Sequence, residues 1–349
     1  MPVSTSHAAS SATRFAACTA FLMGIGAFGC SSLDPASDSC DVLGLDPCDA
    51  PAGSGSSEQT AVEPNMPPAW QCLATPREPP PRPENAATAR VTYVVPVVDF
   101  DSSTVMPLAV PNVRLTVCTN AACDPPAACF PEGSCTPAPA PNPTGVAIVQ
   151  PRPTEQPFLY AINMRWGTES VVLRASAEGY VDSEYYVGGA MVGPPEGGDT
   201  VLGLPFFLLT DAARAALYSQ LGLGEVDATK GILAARTLNC DREQSPLGVF
   251  QGVRADNVSV ELVPNEVPSE AIPWVLSFGR VASRDIFVTD DRGAAGFANI
   301  EPRAYQVLGR APAPVGSESG TTYGRTLATV RANTITIVEV RDGQDVWGQ

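Results

Sequence analysis

The chain has 349 residues, with a formal net charge of −16, a sequence pI near 4.4 and a mean hydropathy of +0.04. A surface of that sign repels nucleic-acid phosphates and anionic lipid headgroups, which argues against DNA, RNA or broad electrostatic membrane binding. The only histidine is His7, so a chain that loses its N-terminus has no imidazole for general-base catalysis, Ser-His-Asp chemistry or His-based zinc sites.

Residues 1–29 read as an export signal. Phe15 to Gly29 (FAACTAFLMGIGAFG) is an apolar run of signal length, too short to span a bilayer comfortably. The run ends in GAFGC and resembles the lipobox of bacterial lipoprotein signals, although Ala27 and Phe28 depart from the usual residues. That resemblance implies lipidation at Cys30, and Ser31 after it implies an outer-membrane destination. Residues 30–89 follow as a stalk. Eleven prolines, nine acids, two bases and a single aromatic (Trp70) between 31 and 89 leave too little apolar surface to offset the entropy of ordering. PREPPPRPE favours extended polyproline geometry within it.

From residue 90 the pattern turns to strands. In the first copy (90–209) these are Val91–Phe100, Asn112–Val117, Val146–Gln150, Phe158–Met164, Val171–Ala177, Glu184–Val187 and Val201–Leu209. Asn112–Val117 (NVRLTV) alternates apolar and polar residues, the mark of a half-buried strand. Asn257–Leu262 (NVSVEL) repeats it 145 positions later. Each follows an acid and a Pro-Leu pair: Asp99 with Pro107-Leu108, then Asp241 with Pro246-Leu247. We read an internal duplication. Residues 210–229 hold the one helix, with Thr210 as N-cap, Asp211 at the positive end, Ala213, Leu217 and Leu221 on one face, and Gly222 as the stop. The second copy (230–341) holds strands Gly231–Leu238, Asn257–Leu262, Trp274–Phe278, Ile286–Thr289, Gly296–Ile300, Tyr305–Arg310 and Gly324–Val340, the last broken near Asn333, with a tail at 342–349. The predicted class is mainly β: two antiparallel sandwiches joined by a short helix.

The stretch TDDRGAAGFANIEPRAYQV (289–307) resembles the carboxypeptidase regulatory-like domain, a transthyretin-like β-sandwich, through Thr289, Asp290, Gly293, Phe297, Pro302, Tyr305 and Val307. Arg303 stands where that family usually has glycine. Asp290 and Gly293 read as a structural turn, with Phe297 and Tyr305 directed into the sandwich. The resemblance covers about 90–341 in two copies and is weaker in the first.

Cysteines at 118, 123, 129 and 135 cluster in a Pro-rich stretch without a C-x2-C pair, which favours disulfides over metal and leaves three pairings open. Cys240 is a candidate partner for Cys72. Among polar candidates, Asp99, Asp101, Ser102 and Ser103 lack calcium-loop spacing, and Glu155, Glu169, Glu178 and Glu184 lack the scaffold of a glycosidase. The sequon at Asn257 falls within a predicted strand. Tyr180, Tyr185 and Tyr186 are possible sugar contacts, although strand tyrosines are more often core or rim. No catalytic residue, metal or cofactor is expected. The reading is an exported, lipid-anchored, non-enzymatic structural or interaction protein of a bacterial envelope. The alternatives are a carbohydrate-binding lipoprotein and an accessory subunit, with an envelope protein or a glycan as partner.

Overall fold

The computed structural model describes residues 84–85, 88–100, 108–119, 122–135, 138–139, 147–149, 159–168, 171–187, 200–238, 255–263, 271–276, 282–283, 288–289, 293–312 and 322–341. All lie in the compact unit Asn65–Gln349. The predictions for Cys30, Cys72, Cys240 and Asp290 lie outside these residues. No helix among them is long and apolar enough to cross a membrane.

The body is mainly β. The strands are β1 (Arg90–Asp99), β2 (Arg114–Cys118), β3 (Ala128–Phe130), β4 (Ala147–Val149), β5 (Leu159–Arg165), β6 (Val171–Ser176), β7 (Ser183–Val187), β8 (Thr200–Leu202) and β9 (Phe206–Leu208). After the helix α1 (Asp211–Gln220) come β10 (Gly231–Thr237), β11 (Ser259–Val263), β12 (Ile272–Leu276), β13 (Ala282–Ser283), β14 (Ala294–Ile300), β15 (Ala304–Arg310), β16 (Thr322–Thr329) and β17 (Ile335–Val340).

The same pairing scheme occurs twice. β1 pairs antiparallel with β5 and parallel with β8 and β9, β5 pairs with β4, and β2–β6–β7 form a second set. Likewise β10 pairs antiparallel with β14 and parallel with β17, β14 pairs with β12, and β11–β15–β16 form the second set. The match extends to single residues. Asn112 and Asn257 both take positive φ (51° and 55°), and the valines after them, Val113 and Val258, are buried. Asparagine tolerates that torsion better than other side chains with a Cβ, so the same device starts β2 and β11.

The sequence predicts separate sandwiches linked by the helix. The sheets are not separate. β17 of the second copy lies parallel to β7 of the first, in the register Ile335↔Ser183 to Val338↔Tyr186. One nine-stranded sheet therefore runs β13-β12-β14-β10-β17-β7-β6-β2-β3 through both copies, beside sheets β4-β5-β1-β8 (with β9 on β1) and β11-β15-β16. Strand alternation gives its two faces to different cores. Tyr185, Val187, Ile335 and Ile337 join the cluster of β1, β5 and β9, whereas Tyr186, Val338 and Val340 join that of β11, β15 and β16. Burying each such large apolar side chain contributes about 1.5–3 kcal/mol.

Helix α1 does more than connect. Thr210 caps it, its Oγ1 accepting from the Ala213 amide at 3.1 Å, and Gly222 follows with φ 68°. Tyr218 and Leu221 pack with Ile232, Trp274, Ala298, Ile335 and Ile337, so the helix covers the second copy's part of the long sheet. Gln220 Oε1 accepts from the Ala282 amide at 2.9 Å, and Arg214 donates to Asn333 Oδ1 at 2.6 Å. Tyr218, absent from the predicted apolar face, is its deepest residue.

Other differences are local. Predicted strand Val201–Leu209 is two strands, because Gly203-Leu204-Pro205 interrupts pairing and Pro205 has no N–H to donate. Val288 and Thr289 are not strand residues, while β13 forms at Ala282–Ser283. β3 arises inside the cysteine-rich stretch, against β2.

Thr289 and Gly293 each staple neighbouring segments. Thr289 is buried, its Oγ1 donates to Ala255 O at 2.7 Å and accepts from the Val258 amide at 3.1 Å, and Asn257 N donates to Thr289 O at 2.6 Å. Gly293 has φ 56° and its carbonyl accepts from Thr237 N at 2.7 Å. Phe297 and Tyr305 are buried in the second core, as the sequence suggests. Arg303 does not take a positive φ; the positive φ nearby is at Asn299, 59°, inside β14 where its register with β10 shifts. The Arg303 guanidinium instead stacks 4.9 Å from the Tyr305 ring centroid. A Cβ on Gly293 would meet Thr237 O at 2.6 Å and Ala255 N at 3.0 Å, both backbone atoms. Gly293→Ala should therefore cost about 1–3 kcal/mol in urea unfolding. A loss under about 0.5 kcal/mol would show that the staple is not rigid.

Candidate functional site

The most distinctive chemistry sits on β7, Ser183-Glu184-Tyr185-Tyr186-Val187, where all five residues are buried. A strand buried on both faces needs cover on both, and here the second copy supplies much of it.

On one face, Tyr185 is fully buried and its hydroxyl donates to Glu339 Oε1. Glu339, on β17, is itself 1% exposed and pairs through Oε2 with Arg341. Arg236 is the register neighbour of Glu339 across β10 and β17. Its guanidinium lies 5.1 Å from the Tyr185 ring centroid and 5.2 Å from that of Phe207, and it donates to Pro205 O. Tyr93 of β1 adds a hydroxyl hydrogen-bonded to Tyr185. Burial pushes the Tyr185 hydroxyl well above its ordinary value. Neighbouring Tyr93 adds to the rise, against opposing pulls from Arg236 and Arg341. Burial lowers Arg236, with Tyr185 and Tyr93 holding it up.

On the other face, Glu184 is 3% exposed and forms ion pairs with Arg174, whose Nε lies 2.8 Å from Oε1, and with Arg331, whose Nε lies 2.7 Å from it. Arg174 belongs to β6 and Arg331 to the turn before β17, so this carboxylate bridges the copies. Tyr186 OH accepts from Thr329 N at 3.1 Å. Thus β7 pairs with β17 through its backbone while consecutive side chains tie the copies above and below the sheet. A carboxylate buried between two guanidiniums offsets part of its desolvation through their opposite charge.

This arrangement corrects the sugar-contact reading of these tyrosines. Tyr185 and Tyr186 are enclosed between sheets and offer no ring face for stacking. Tyr180 is half-buried and donates to Asp99 Oδ2 at 3.0 Å, so it ties the end of β1 to the approach to β7. Glu184 is a brace, and Glu155 and Glu169 lie outside the described residues. Among the described residues no group of three or more His, Cys, Asp or Glu is placed to hold a metal ion.

Of the three open pairings of the cysteine cluster, the structure takes the local one. Cys118 joins Cys123 with Cα atoms 4.9 Å apart, and Cys129 joins Cys135 at 5.8 Å. Both brace the β2–β3 edge of the long sheet. Cys118 and Cys123 also pack into the second core.

Glu339, Arg236 and Arg341 went unnoticed in the sequence. A signal was present: in ITIVEV, Glu339 shares the parity of Ile335 and Ile337, so a period-two strand puts a carboxylate on a core-facing position.

No family model and no curated protein matches the chain. Solved structures with some similarity include the Bacillus anthracis TIE protein, at 12% identity over 66% of this chain and 34% of that one, TM-score 0.19. This chain thus spans about a third of the TIE protein. Others are shaft pilin SpaA from Lactobacillus rhamnosus GG, at 10% identity over 73% of this chain and 98% of that one, and BcpA, the major pilin subunit of Bacillus cereus, at 12% over 74% and 62%, both with TM-score 0.19. At that score the chains do not superpose as wholes, and neither assembly nor partner transfers to this one.

Two outcomes test the junction. Glu339→Ala leaves Arg341 without its carboxylate and Tyr185 without its acceptor and should cost about 3–5 kcal/mol, against about 1–3 for Tyr185→Phe, which removes one hydrogen bond to a charge. Equal, near-zero losses in urea melts would show that the cluster is not a brace. The second is alkaline lability. The Tyr185 pKa in the fold lies above the ordinary 10.0. Its neutral form is favoured there, so the stabilisation is intact below pH 10 and is lost as pH rises through the folded value. Tyr185→Phe should flatten that decline between pH 10 and 12, and an unchanged slope would assign the lability elsewhere.

Proposed function

We propose that this chain is a non-enzymatic structural or interaction protein, exported and held at a bacterial envelope by lipid on Cys30. In this reading two transthyretin-like units, related by duplication, form one stiff body on an acidic proline-rich stalk. The observation that supports it best is the use made of the buried charges. Glu184 pairs with Arg174 and Arg331, and Glu339 pairs with Arg341 and accepts from Tyr185 of β7, so both carboxylates tie β7 to neighbouring elements. A catalytic carboxylate needs access to a substrate and a protonation state free to change. A carboxylate locked between guanidiniums beneath a second sheet suits bracing instead. The stalk composition suits spacing, since proline-rich chain stays extended and its charges repel one another.

In this reading lipid on Cys30 is the anchor and residues 31–89 are the spacer that follows it. The outer-membrane destination rests on Ser31 and is part of the proposal. The deciding experiment is detergent phase partition of the full chain expressed in a Gram-negative host, with intact-mass measurement. The expected result is a detergent-phase protein carrying a lipid mass at Cys30, moved to the aqueous phase by Cys30→Ala. A wild-type chain in the aqueous phase without added mass would overturn the anchor.

A further inference from the structure

The two disulfides at the β2–β3 end of the long sheet sit in unlike surroundings. Cys118 is 0% exposed and Cys123 7%, and both pack into the second core. Cys129 and Cys135 are half-buried, and the residues between Phe130 and Cys135 (Pro131, Glu132, Gly133 and Ser134) are all exposed. An attacking thiolate has to reach a sulfur atom, so access divides the pair into a sheltered bond and a reachable one.

The reachable bond is also polarised. Thr116 of β2 is the register partner of Cys129 of β3, and their side chains meet, with Thr116 Oγ1 3.7 Å from Cys129 Sγ. A disulfide sulfur carries no hydrogen, so the hydroxyl is the donor. The next residue along the row, Arg174 of β6, is paired with Glu184, which leaves the hydroxyl as the group that acts on this sulfur. A hydrogen bond to sulfur stabilises a thiolate more than a disulfide, and the thiolate of lower pKa leaves faster. Cys129 is therefore the leaving sulfur and Cys135, beyond the exposed loop, the attacked one.

We propose that Cys129–Cys135 is a thiol–disulfide exchange site for a thiol-class reductant. The reductant's thiolate attacks Cys135 Sγ, the S–S bond breaks, and its electron pair leaves on Cys129 Sγ, held by the Thr116 hydroxyl. The product is a mixed disulfide on Cys135. A second thiolate attacks the reductant's sulfur in that bond and releases Cys135 as a thiolate. The reductant's two thiols end as a disulfide, and their two protons end on Cys129 and Cys135. The fold tolerates the step. Phe130 of β3 packs edge-on to Tyr160 with ring centroids 5.4 Å apart, and Cys118–Cys123 holds the β2–β3 connection. β3 therefore keeps its place while the loop at 131–134 opens. The site goes beyond the bracing role above and does not depend on the lipid.

The full chain, purified in detergent, is treated with reduced glutathione at millimolar concentration or with a reduced Cys-X-X-Cys oxidoreductase at micromolar concentration. Samples are quenched with iodoacetamide at intervals and mapped by peptide mass. The expected result is glutathione on Cys135 and the alkyl group on Cys129, favoured about tenfold over the reverse, while Cys118–Cys123 stays closed. The faster arm names the source of the thiol, small molecule or protein. Thr116→Val should slow the exchange and erase the preference between the two sulfurs, and Thr116→Ser, which keeps the hydroxyl, should retain both. A Cys129–Cys135 bond inert in both arms would overturn the proposal, as would opening of Cys118–Cys123 at the same rate. So would glutathione spread equally over Cys129 and Cys135 in the unsubstituted chain, a ratio that decides the matter even if a variant does not fold.

Discussion

The parallel pairing of β7 with β17 is the constraint on which the rest of this molecule depends. A sheet edge with unpaired backbone groups invites association, and a duplicated β-domain has one such edge in each copy. Here the edge of the first copy is closed by the second. That closure turns a four-stranded and a five-stranded set into one nine-stranded sheet, puts the two cores on opposite faces, and leaves α1 to add its Tyr218 and Leu221 to the first core. Strand pairing of this kind has far fewer degrees of freedom than a helix linker. Relative motion of the halves would have to break backbone hydrogen bonds and expose charge.

The polar side chains at the junction fix which pairing forms. An apolar junction of the same area would be at least as stable, because buried ion pairs gain little over well-packed hydrocarbon. It would also tolerate a slip of register. A slip of one residue would turn Glu184 towards the first core and Tyr185 away from Glu339, reversing both faces at once. Buried carboxylates that are satisfied only in one register penalise every other register heavily. The Thr289 staple has the same logic on a smaller scale. Its hydroxyl satisfies the Val258 amide and shares the Ala255 carbonyl with the Thr237 hydroxyl.

Much of the fold was legible in the sequence because it rests on period-two alternation, which Asn112–Val117 and Asn257–Leu262 display plainly. The duplication was legible because an Asn-Val start needs the same torsion in both copies. The break in 324–340 was legible at Asn333, which takes positive φ (54°). The junction was not. Alternation tells which residues of β7 face which side, but it cannot tell whether a side faces water or another copy, and EYY reads equally as an aromatic rim or a sealed seam. The cysteine pairing was beyond the sequence for the same reason: all three pairings satisfy the spacing, and only the β2–β3 hairpin selects one.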